Sequence, residues 1–273
     1  RVRQITALKA QTGPVLLTYR ADDAVKAIID ETAAGTPVYD LTADDGIGHT
    51  LWVLDDDAKI EQLNQIFDAT DALYIADGHH RSASASRVAK ENSAESAQYF
   101  LSVAFAHDEM KILDYNRVVR DLHGLSADEL LANAAASFDL ELSAEAVRPA
   151  KPTQFGMYVN GQWYRLDVHE ELVPSDDPVA SLDVSLLHSN LIEPLLGISD
   201  PRRDDRIDFV GGMRGLGELE KRVDSGEMAV AFSLYPTTME ALMDVADANE
   251  VMPPKSTWFE PKLADGLVSH VLD

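Results

Sequence analysis

Apolar runs bounded by turn residues alternate with segments of helical spacing along the first half of the chain. The apolar runs predict strands over Pro14–Tyr19, Thr50–Leu54, Ala72–Ala76 and Tyr99–Ala106. The helical spacing predicts helices over Asp22–Ala34, over Asp57–Phe67 and from Gly78 to about Lys90. Strands interleaved with helices in this way are typical of an α/β layered domain.

The clearest local signal in the second half is Asn160-Gly161, which lies between the alternating runs Gly156–Val159 and Gln162–Val168. Both central residues of a type I′ turn need positive φ, so this pair predicts a β-hairpin. The other predicted helices are Ser126–Phe138, Val184–Leu196, Leu216–Val223 and Met239–Ala248. The other predicted strands are Arg206–Val210, Met228–Leu234 and Gly266–Leu272.

A length of 273 residues allows one large or two modest domains. The stretch 143–154 contains two prolines and little apolar pattern, so we place a boundary there. The prediction is an α/β portion over residues 1–145 and an α+β portion over residues 152–273, with a mixed sheet and flanking helices. Because the chain opens on Arg1 without a clear start, we also expect an upstream segment to be missing.

Charge and cysteine content exclude several classes of protein. Lys and Arg number 23 against 47 Asp and Glu, which gives a formal net charge of −24. So acidic a chain is a poor candidate for binding nucleic acid or an anionic membrane. The absence of cysteine excludes disulfides, Cys-ligated metal sites and thiol catalysis. No apolar run approaches the roughly 18 residues of a membrane span, so we expect a cytoplasmic protein.

The densest group of chemically useful residues is Asp77-Gly78-His79-His80-Arg81-Ser82, where a predicted strand gives way to a helix. The first N–H groups of a helix lack internal partners and attract anions. Arg81 can fork onto phosphate oxygens, and either imidazole can donate a hydrogen bond or move a proton. Asp77 can hold Mg²⁺ through water or fix an imidazole tautomer. In the alternative interpretation, Asp77 only caps the helix and the other side chains are solvated.

A metal site at the two histidines is a further alternative. Neighbouring residues of a helix point to different sides, unlike the i, i+4 histidines of a zinc helix. We therefore expect His79 and His80 not to share one ion, and a metal-only site ranks below a phosphate site.

A second candidate is Lys255-Ser256-Thr257, which follows Met252-Pro253-Pro254 and offers an ammonium and two hydroxyls. It can clamp a phosphate or hold a substrate carboxylate. It is not a P-loop, because the glycines of that motif are absent. On residue pattern alone, a proline-led turn into an edge strand is favoured, with Trp258 and Phe259 in the core.

Other clusters are better explained by structure than by chemistry. Arg202, Arg203, Arg206 and Arg214 are interleaved with aspartates, which favours a solvated loop with ion pairs over an anion funnel. The remaining histidines stand singly and are interpreted as structural; they are His49, His107, His123, His169, His188 and His270.

The segment Tyr74–Arg81 resembles the family called domain of unknown function 1015, which is marked by an I-A-D-G-H-H-R segment. Over nearly the whole chain, further matches follow in order: Gly13-Pro14 with Tyr19, Asn116–Val119, Leu182–His188, Ile207–Gly212 and Met252–Thr257. After Arg81 the chain departs from many relatives, since Ser82-Ala83-Ser84 stands where they have an aromatic and an acid.

The D-G-H-H-R segment is also similar to the phosphate-binding turn of the ParB/sulfiredoxin superfamily, which includes kinases acting on free serine. That resemblance implies that Asp77, Gly78, His79, His80 and Arg81 face nucleotide phosphates. It suggests a nucleotide-dependent phosphotransferase acting on a small hydroxylated metabolite such as free serine, with ATP or ADP and Mg²⁺. Two alternatives stay open: a non-catalytic nucleotide or phosphate sensor, and a metal-dependent phosphoester hydrolase. Sulfiredoxin chemistry itself needs a cysteine and is excluded.

Overall fold

A computed structural model describes residues 1–44, 46–259 and 263–273. The helices are α1 (Val2–Leu8), α2 (Asp23–Ala33), α3 (Asp57–Asp68), α4 (His79–Glu91), α5 (Ala127–Ala134), α6 (Asp183–Leu187), α7 (Glu193–Leu196), α8 (Leu216–Asp224) and α9 (Met239–Asp247). The strands are β1 (Ala10–Gln11), β2 (Val15–Tyr19), β3 (Tyr39–Thr42), β4 (Gly48–Leu51), β5 (Tyr74–Asp77), β6 (Ser102–Ala106), β7 (Ile112–Leu113), β8 (Tyr115–Val119), β9 (Phe138–Ser143), β10 (Gln154–Val159), β11 (Gln162–Val168), β12 (Ile207–Gly211), β13 (Val230–Leu234), β14 (Trp258–Phe259) and β15 (His270–Val271). Within these residues, no helix has the length and apolar character that crossing a membrane requires.

The chain folds into two compact units. The first consists of Arg1–Met110 together with Leu263–Asp273, and the second of Lys111–Lys262. The boundary expected between residues 145 and 152 instead lies inside the second unit, in the connection between β9 and β10 of one sheet. The two prolines of that stretch mark a loop between strands, which composition alone does not distinguish from a linker between domains.

The first unit is built around a three-stranded sheet in the order β5-β2-β6. Strand β2 is buried along its whole length because it lies between an antiparallel and a parallel neighbour. The sheet is therefore mixed, as the alternation of elements predicts. Tyr19 and Ala106 pack with Val25 of α2 and with half-buried apolar residues of α3.

The last residues of the chain complete the first unit. Strand β15 pairs antiparallel with β1, and the Leu272 amide donates to the carbonyl of Lys9 over 2.8 Å. Leu272 is buried against Ile5 of α1 and Val88 of α4. The predicted strand Gly266–Leu272 is wrong in extent, since only His270 and Val271 are extended there.

The main sheet of the second unit is antiparallel, with six strands in the order β12-β8-β13-β10-β11-β9. Neighbouring residues alternate between two apolar layers: Val119 and Met157 belong to one layer, and Val118 and Tyr158 to the other. The first layer packs against α5, α6 and α7, and the second against Leu219 of α8. Because both faces are covered, every residue of β10 is buried.

The predicted hairpin is confirmed. Strands β10 and β11 pair in register from Gln154 opposite Asp167 to Val159 opposite Gln162. Asn160 and Gly161 have φ values of 51° and 76°, as a type I′ turn requires.

The predicted helix Ser126–Phe138 is too long at its C-terminal end. Ser126 caps α5 through a capping box with Glu129, but the helix ends at Ala134 and β9 begins at Phe138. Phe138 is buried edge-to-face against Phe155, and this packing on the sheet outweighs its place in the helical pattern. The predicted strand Thr50–Leu54 is displaced, because β4 runs from Gly48 to Leu51, and the predicted strand Tyr99–Ala106 is shortened to β6.

A buried carboxyl group at the start of α6 makes the stability of the second unit depend on pH. Asp183 accepts a hydrogen bond from the Thr153 amide over 2.8 Å, and its other oxygen is buried with no partner in the described part of the chain. Burial raises the pKa of Asp183 to about 7, although the Thr153 amide opposes the shift.

We predict that the native protein loses stability as the pH rises and that the Asp183→Asn variant does not. Since the folded pKa lies above the value of 3.8 expected in the unfolded chain, the native protein is favoured at low pH. That advantage disappears between about pH 4 and about pH 7, at a cost on the order of 4 kcal/mol. Urea unfolding across this range measures the difference, with the exposed Asp128→Asn as the control; parallel curves for native and Asp183→Asn protein would contradict the assignment.

Candidate functional site

The predicted anion-binding turn lies where β5 passes into α4. Asp77 is the last residue of β5 and pairs with Leu16 of β2. Gly78 follows with φ 91° and forms the N-cap of α4. That left-handed conformation is strained for residues with a Cβ, so a glycine is needed at this switch. The structure corrects the expectation of a buried strand, because Tyr74 is buried whereas Ile75 is exposed.

The Arg81 side chain folds back over this turn. A Cβ built on Gly78 would lie 2.8 Å from Arg81 Nε and 2.9 Å from Nη2. Arg81 Nη2 also approaches Asp77 Oδ2 at 3.4 Å, a long contact for an ion pair. Arg81 Nε is buried with no hydrogen-bond partner in the described residues. The guanidinium is thus held against the backbone of the turn while part of its donor capacity is unused.

The backbone at the start of α4 adds further donors. Gly78 provides no side-chain cap, and the amides of Arg81 and Ser82 both donate to its carbonyl, over 2.8 Å and 3.0 Å. The amides of His79 and His80 precede these first bonds, so helix geometry gives them no partner within the helix. The alternative in which Asp77 caps the helix is therefore wrong, since the N-cap is Gly78.

The two histidines lie side by side on the surface. Their ring centroids are 4.0 Å apart with the planes at 47°, and both residues are exposed. The expectation that they point to different sides is therefore wrong, because the rings converge at the first turn of α4. Across residues 1–44, 46–259 and 263–273, however, no group of three or more His, Asp or Glu side chains is close enough to hold a metal ion.

A small cavity lies beside the aliphatic part of Arg81. It has a volume of about 30 Å³ and is lined by Gly13, Gln11 and Asp265 among others. A Cβ on Gly13 would lie 2.7 Å from Asp265 Oδ1 and 3.5 Å from Arg81 Cδ. A space of this size holds about one water molecule. A ligand larger than that must approach the turn from the exposed side, where the histidines lie.

Gly13 and Asp265 were not predicted as part of this neighbourhood. Gly13 precedes a proline and a buried strand, which is the kind of signal that marks a close backbone approach. Asp265 lies more than 180 positions from Arg81 in the chain, so no local pattern indicates it.

The second candidate segment, Lys255-Ser256-Thr257, belongs to the second unit, and its role in holding a phosphate or a carboxylate stays a prediction. Ser256 is buried, and its hydroxyl donates to the Pro253 carbonyl over 2.7 Å, which leaves it engaged within the turn. Lys255 has φ 58° and its ammonium lies 5.7 Å from the centre of the Tyr115 ring. Thr257 is half-buried.

Trp258 and Phe259 follow as β14, which pairs with β7. This is the proline-led turn into a strand that the residue pattern favours. Residues 260–262 of the same segment lie outside the described residues.

The arginine-rich loop forms ion pairs, as its composition indicates. Arg202 Nε lies 2.9 Å from Asp200 Oδ1, and Arg206 Nη2 lies 2.7 Å from Asp204 Oδ2. Hydrogen bonds from Arg202 lower the pKa of Asp200 to about 2. These pairs neutralise most of the positive charge that an anion funnel would need.

A comparison with protein families matches residues 1–185 to the family described as "Protein of unknown function (DUF1015)". The chain belongs to this family. The match contains the D-G-H-H-R turn, whereas the resemblance proposed for Met252–Thr257 lies beyond the matched residues. No curated protein matches the chain.

Several solved structures are similar to this DUF1015 protein. A free serine kinase in complex with AMP is 14% identical in sequence and has a TM-score of 0.44. The alignment covers 94% of this chain and 77% of the kinase chain. A conserved hypothetical protein from Pyrococcus furiosus is 15% identical, with coverages of 97% and 83% and a TM-score of 0.44. SbnI with C-terminal truncation from Staphylococcus aureus is 12% identical, with coverages of 97% and 75% and a TM-score of 0.46. Because these sequence identities and TM-scores are low, the function has to be inferred from the residues of the site.

We predict that Gly78→Ala destabilises the first unit by roughly 1–3 kcal/mol, because the new Cβ adopts a strained φ and displaces Arg81. The matched control is Gly217→Ala in α8, where a Cβ meets no atom within 4 Å. There the change should be neutral or stabilising, since alanine favours a helix. Thermal unfolding of the two variants tests the contrast, and equal stability would show that the turn tolerates a side chain.

Proposed function

We propose that the turn Asp77–Ser82 binds the phosphates of a nucleotide, ATP or ADP, and that the protein is a phosphotransferase acting on a small hydroxylated metabolite, with free serine as the candidate. The observation that supports this best is Arg81. Its guanidinium is held over a glycine at a helix N-terminus, and its buried Nε has no partner in the described residues. A phosphate oxygen satisfies such a donor and completes the site.

The residues of the turn suit a phosphoryl group. The amides of His79 and His80 point along the start of α4, where the helix dipole favours negative charge. Arg81 supplies a planar set of donors, and its 3.4 Å contact with Asp77 is long enough to be exchanged for a phosphate. The paired imidazoles lie on the exposed side, where they can donate to phosphoryl oxygens or move a proton. Phosphoryl transfer depends mainly on positioning and charge neutralisation, which these groups provide.

Mg²⁺ is compatible with this turn as a partner of the nucleotide. Asp77 presents one carboxylate whose side chain is 48% exposed. Magnesium in nucleotide sites is held through one or two carboxylates together with substrate phosphates and water. Asp77 would therefore hold the ion only when phosphate is bound, and no metal-dedicated cage is needed.

The first prediction of this proposal concerns Arg81. Arg81→Gln should weaken ATP or ADP binding by roughly 2–3 kcal/mol, because a charge-assisted contact to phosphate is lost. Isothermal calorimetry with AMP, ADP and ATP measures the effect. The matched control is Arg87→Gln, which removes the same charge from the exposed face of the same helix.

Equal nucleotide affinities for Arg81→Gln and the native protein would remove Arg81 from the site. Equal losses in Arg81→Gln and Arg87→Gln would show a general charge effect and would also contradict the proposal.

A non-catalytic phosphate sensor is the second candidate. It is favoured by the pairing of Asp77 with Arg81, because this carboxylate is then not free to act as a base. A hydrolase with a tightly held metal is less favoured, because no set of three ligating side chains converges in the described residues.

Turnover separates these functions. We predict that an assay with ATP or ADP and a panel of hydroxylated amino acids and sugars detects a phosphorylated product. Changing both histidines to Asn should lower the rate by roughly a hundredfold or more, which is the usual size of a proton-transfer contribution. Nucleotide binding without any product, in native and variant protein alike, would favour the sensor. Metal analysis of the purified protein tests the metal-dependent hydrolase, since such an enzyme retains stoichiometric metal.

A further inference from the structure

A larger pocket lies within the second unit. It has a volume of about 500 Å³ and is bordered by β8, β12, the helical segment from α6 to α7, the loop 199–202 and the two prolines Pro253 and Pro254. Small-molecule sites commonly have volumes of about 300–1,000 Å³, with apolar walls and a few converging polar groups. The pocket matches that description, because Val184, Ile192 and Phe209 form apolar walls around a small number of polar side chains.

The most unusual group in its wall is Arg117. This central residue of β8 is 5% exposed, and its guanidinium lies 5.4 Å from the centre of the Phe209 ring. Its Nη1 donates to the Tyr115 carbonyl and its Nη2 donates to the Lys255 carbonyl over 3.0 Å. No carboxylate pairs with it anywhere in residues 1–44, 46–259 and 263–273.

A buried guanidinium without a counter-ion is costly, even in a chain with 47 acidic residues. Burial lowers the pKa of Arg117 to about 10, although Tyr115 opposes the shift, so the group is still charged at neutral pH. Carbonyl oxygens satisfy its hydrogen bonds but do not neutralise its charge. The pocket therefore holds one positive charge for which the described residues provide no partner.

The other charged side chains at the pocket, Arg202 and Asp200, are already paired with each other. Arg202 makes two hydrogen bonds to Asp200, over 2.9 Å and 3.1 Å. His188 Nε2 lies 3.9 Å from Glu193 Oε2. A ligand thus meets a single unneutralised cation, which suits one negative charge better than the two of a phosphate monoester.

The helix beside Arg117 carries a second unsatisfied group. Residues His188–Ile192 form a π-turn between α6 and α7, and Pro194 at the start of α7 has no N–H to continue an α-helical ladder. His188 lines the pocket, and its Nδ1 is buried without a partner in the described residues. π-Turns are frequent at functional sites.

We infer that this pocket binds a small organic monocarboxylate, with the carboxylate at Arg117 and an uncharged body against Val184, Ile192 and Phe209. A carboxylate matches the planar guanidinium and supplies the single negative charge that the pocket lacks. The inference uses residues of the second unit alone and does not depend on the proposed nucleotide site.

The test uses acetate, butyrate and L-lactate as probes, with butyramide as a neutral analogue and inorganic phosphate as a second anion. Saturation-transfer NMR and calorimetry at constant ionic strength measure weak binding. We expect saturable binding of at least one monocarboxylate, weaker binding of phosphate, and none of butyramide. Arg117→Gln should weaken the monocarboxylate roughly tenfold or more. The exposed Arg203→Gln, from the neighbouring loop, should leave it unchanged because that variant removes the same charge outside the pocket.

A second variant keeps the test valid if Arg117→Gln fails to fold. Ser185→Leu leaves the guanidinium in place but fills part of the pocket, and it should also abolish binding. Binding of butyramide as tight as butyrate, phosphate binding tighter than the monocarboxylates, or affinities unchanged in both variants would each overturn the inference. So would a failure of all three monocarboxylates to bind the native protein.

Discussion

A guanidinium lying against the bare Cα of a glycine determines the geometry of the turn after β5. The left-handed conformation of Gly78 directs the chain from the sheet into α4, and the absence of a Cβ leaves the space that Arg81 occupies. Each residue needs the other, because a side chain at Gly78 would displace Arg81, and Arg81 covers backbone that would otherwise face solvent. The proposal that this turn binds an anion rests on this single contact, since it places a fixed positive charge beside the first amides of the helix.

The sequence predicts the local elements of this protein better than their long-range partners. The hairpin at Asn160-Gly161 and the helix after Gly78 follow from residues close together in the chain, and both are present. Strand β8 was not predicted, although it pairs with both β12 and β13 in the main sheet of the second unit, because Arg117 interrupts its apolar run. Burial of that arginine depends on Phe209 and on the Lys255 carbonyl, and neither is close to it in sequence.

In the candidate site, too, the sequence predicts the local features better than the three-dimensional arrangement of the side chains. The composition of Asp77–Ser82 indicates an anion site, and the strand-to-helix switch is where the sequence places it. The position of Arg81 over Gly78 and the convergence of the two histidine rings depend on the path of the backbone through the first turn of α4. Spacing along an ideal helix does not describe that turn, so it gives the wrong direction for the imidazoles.

Completion of the first unit by residues 263–273 has a consequence for the order in which the chain folds. The second unit is one continuous stretch, so it can form as soon as its own residues leave the ribosome. Most of the first unit is synthesised earlier, but it stays without Leu272 in its apolar cluster and without the pairing of β1 until residues 263–273 are made. Of the two units, the one whose synthesis begins earlier is therefore completed later, and until then its apolar cluster lacks the buried Leu272 side chain.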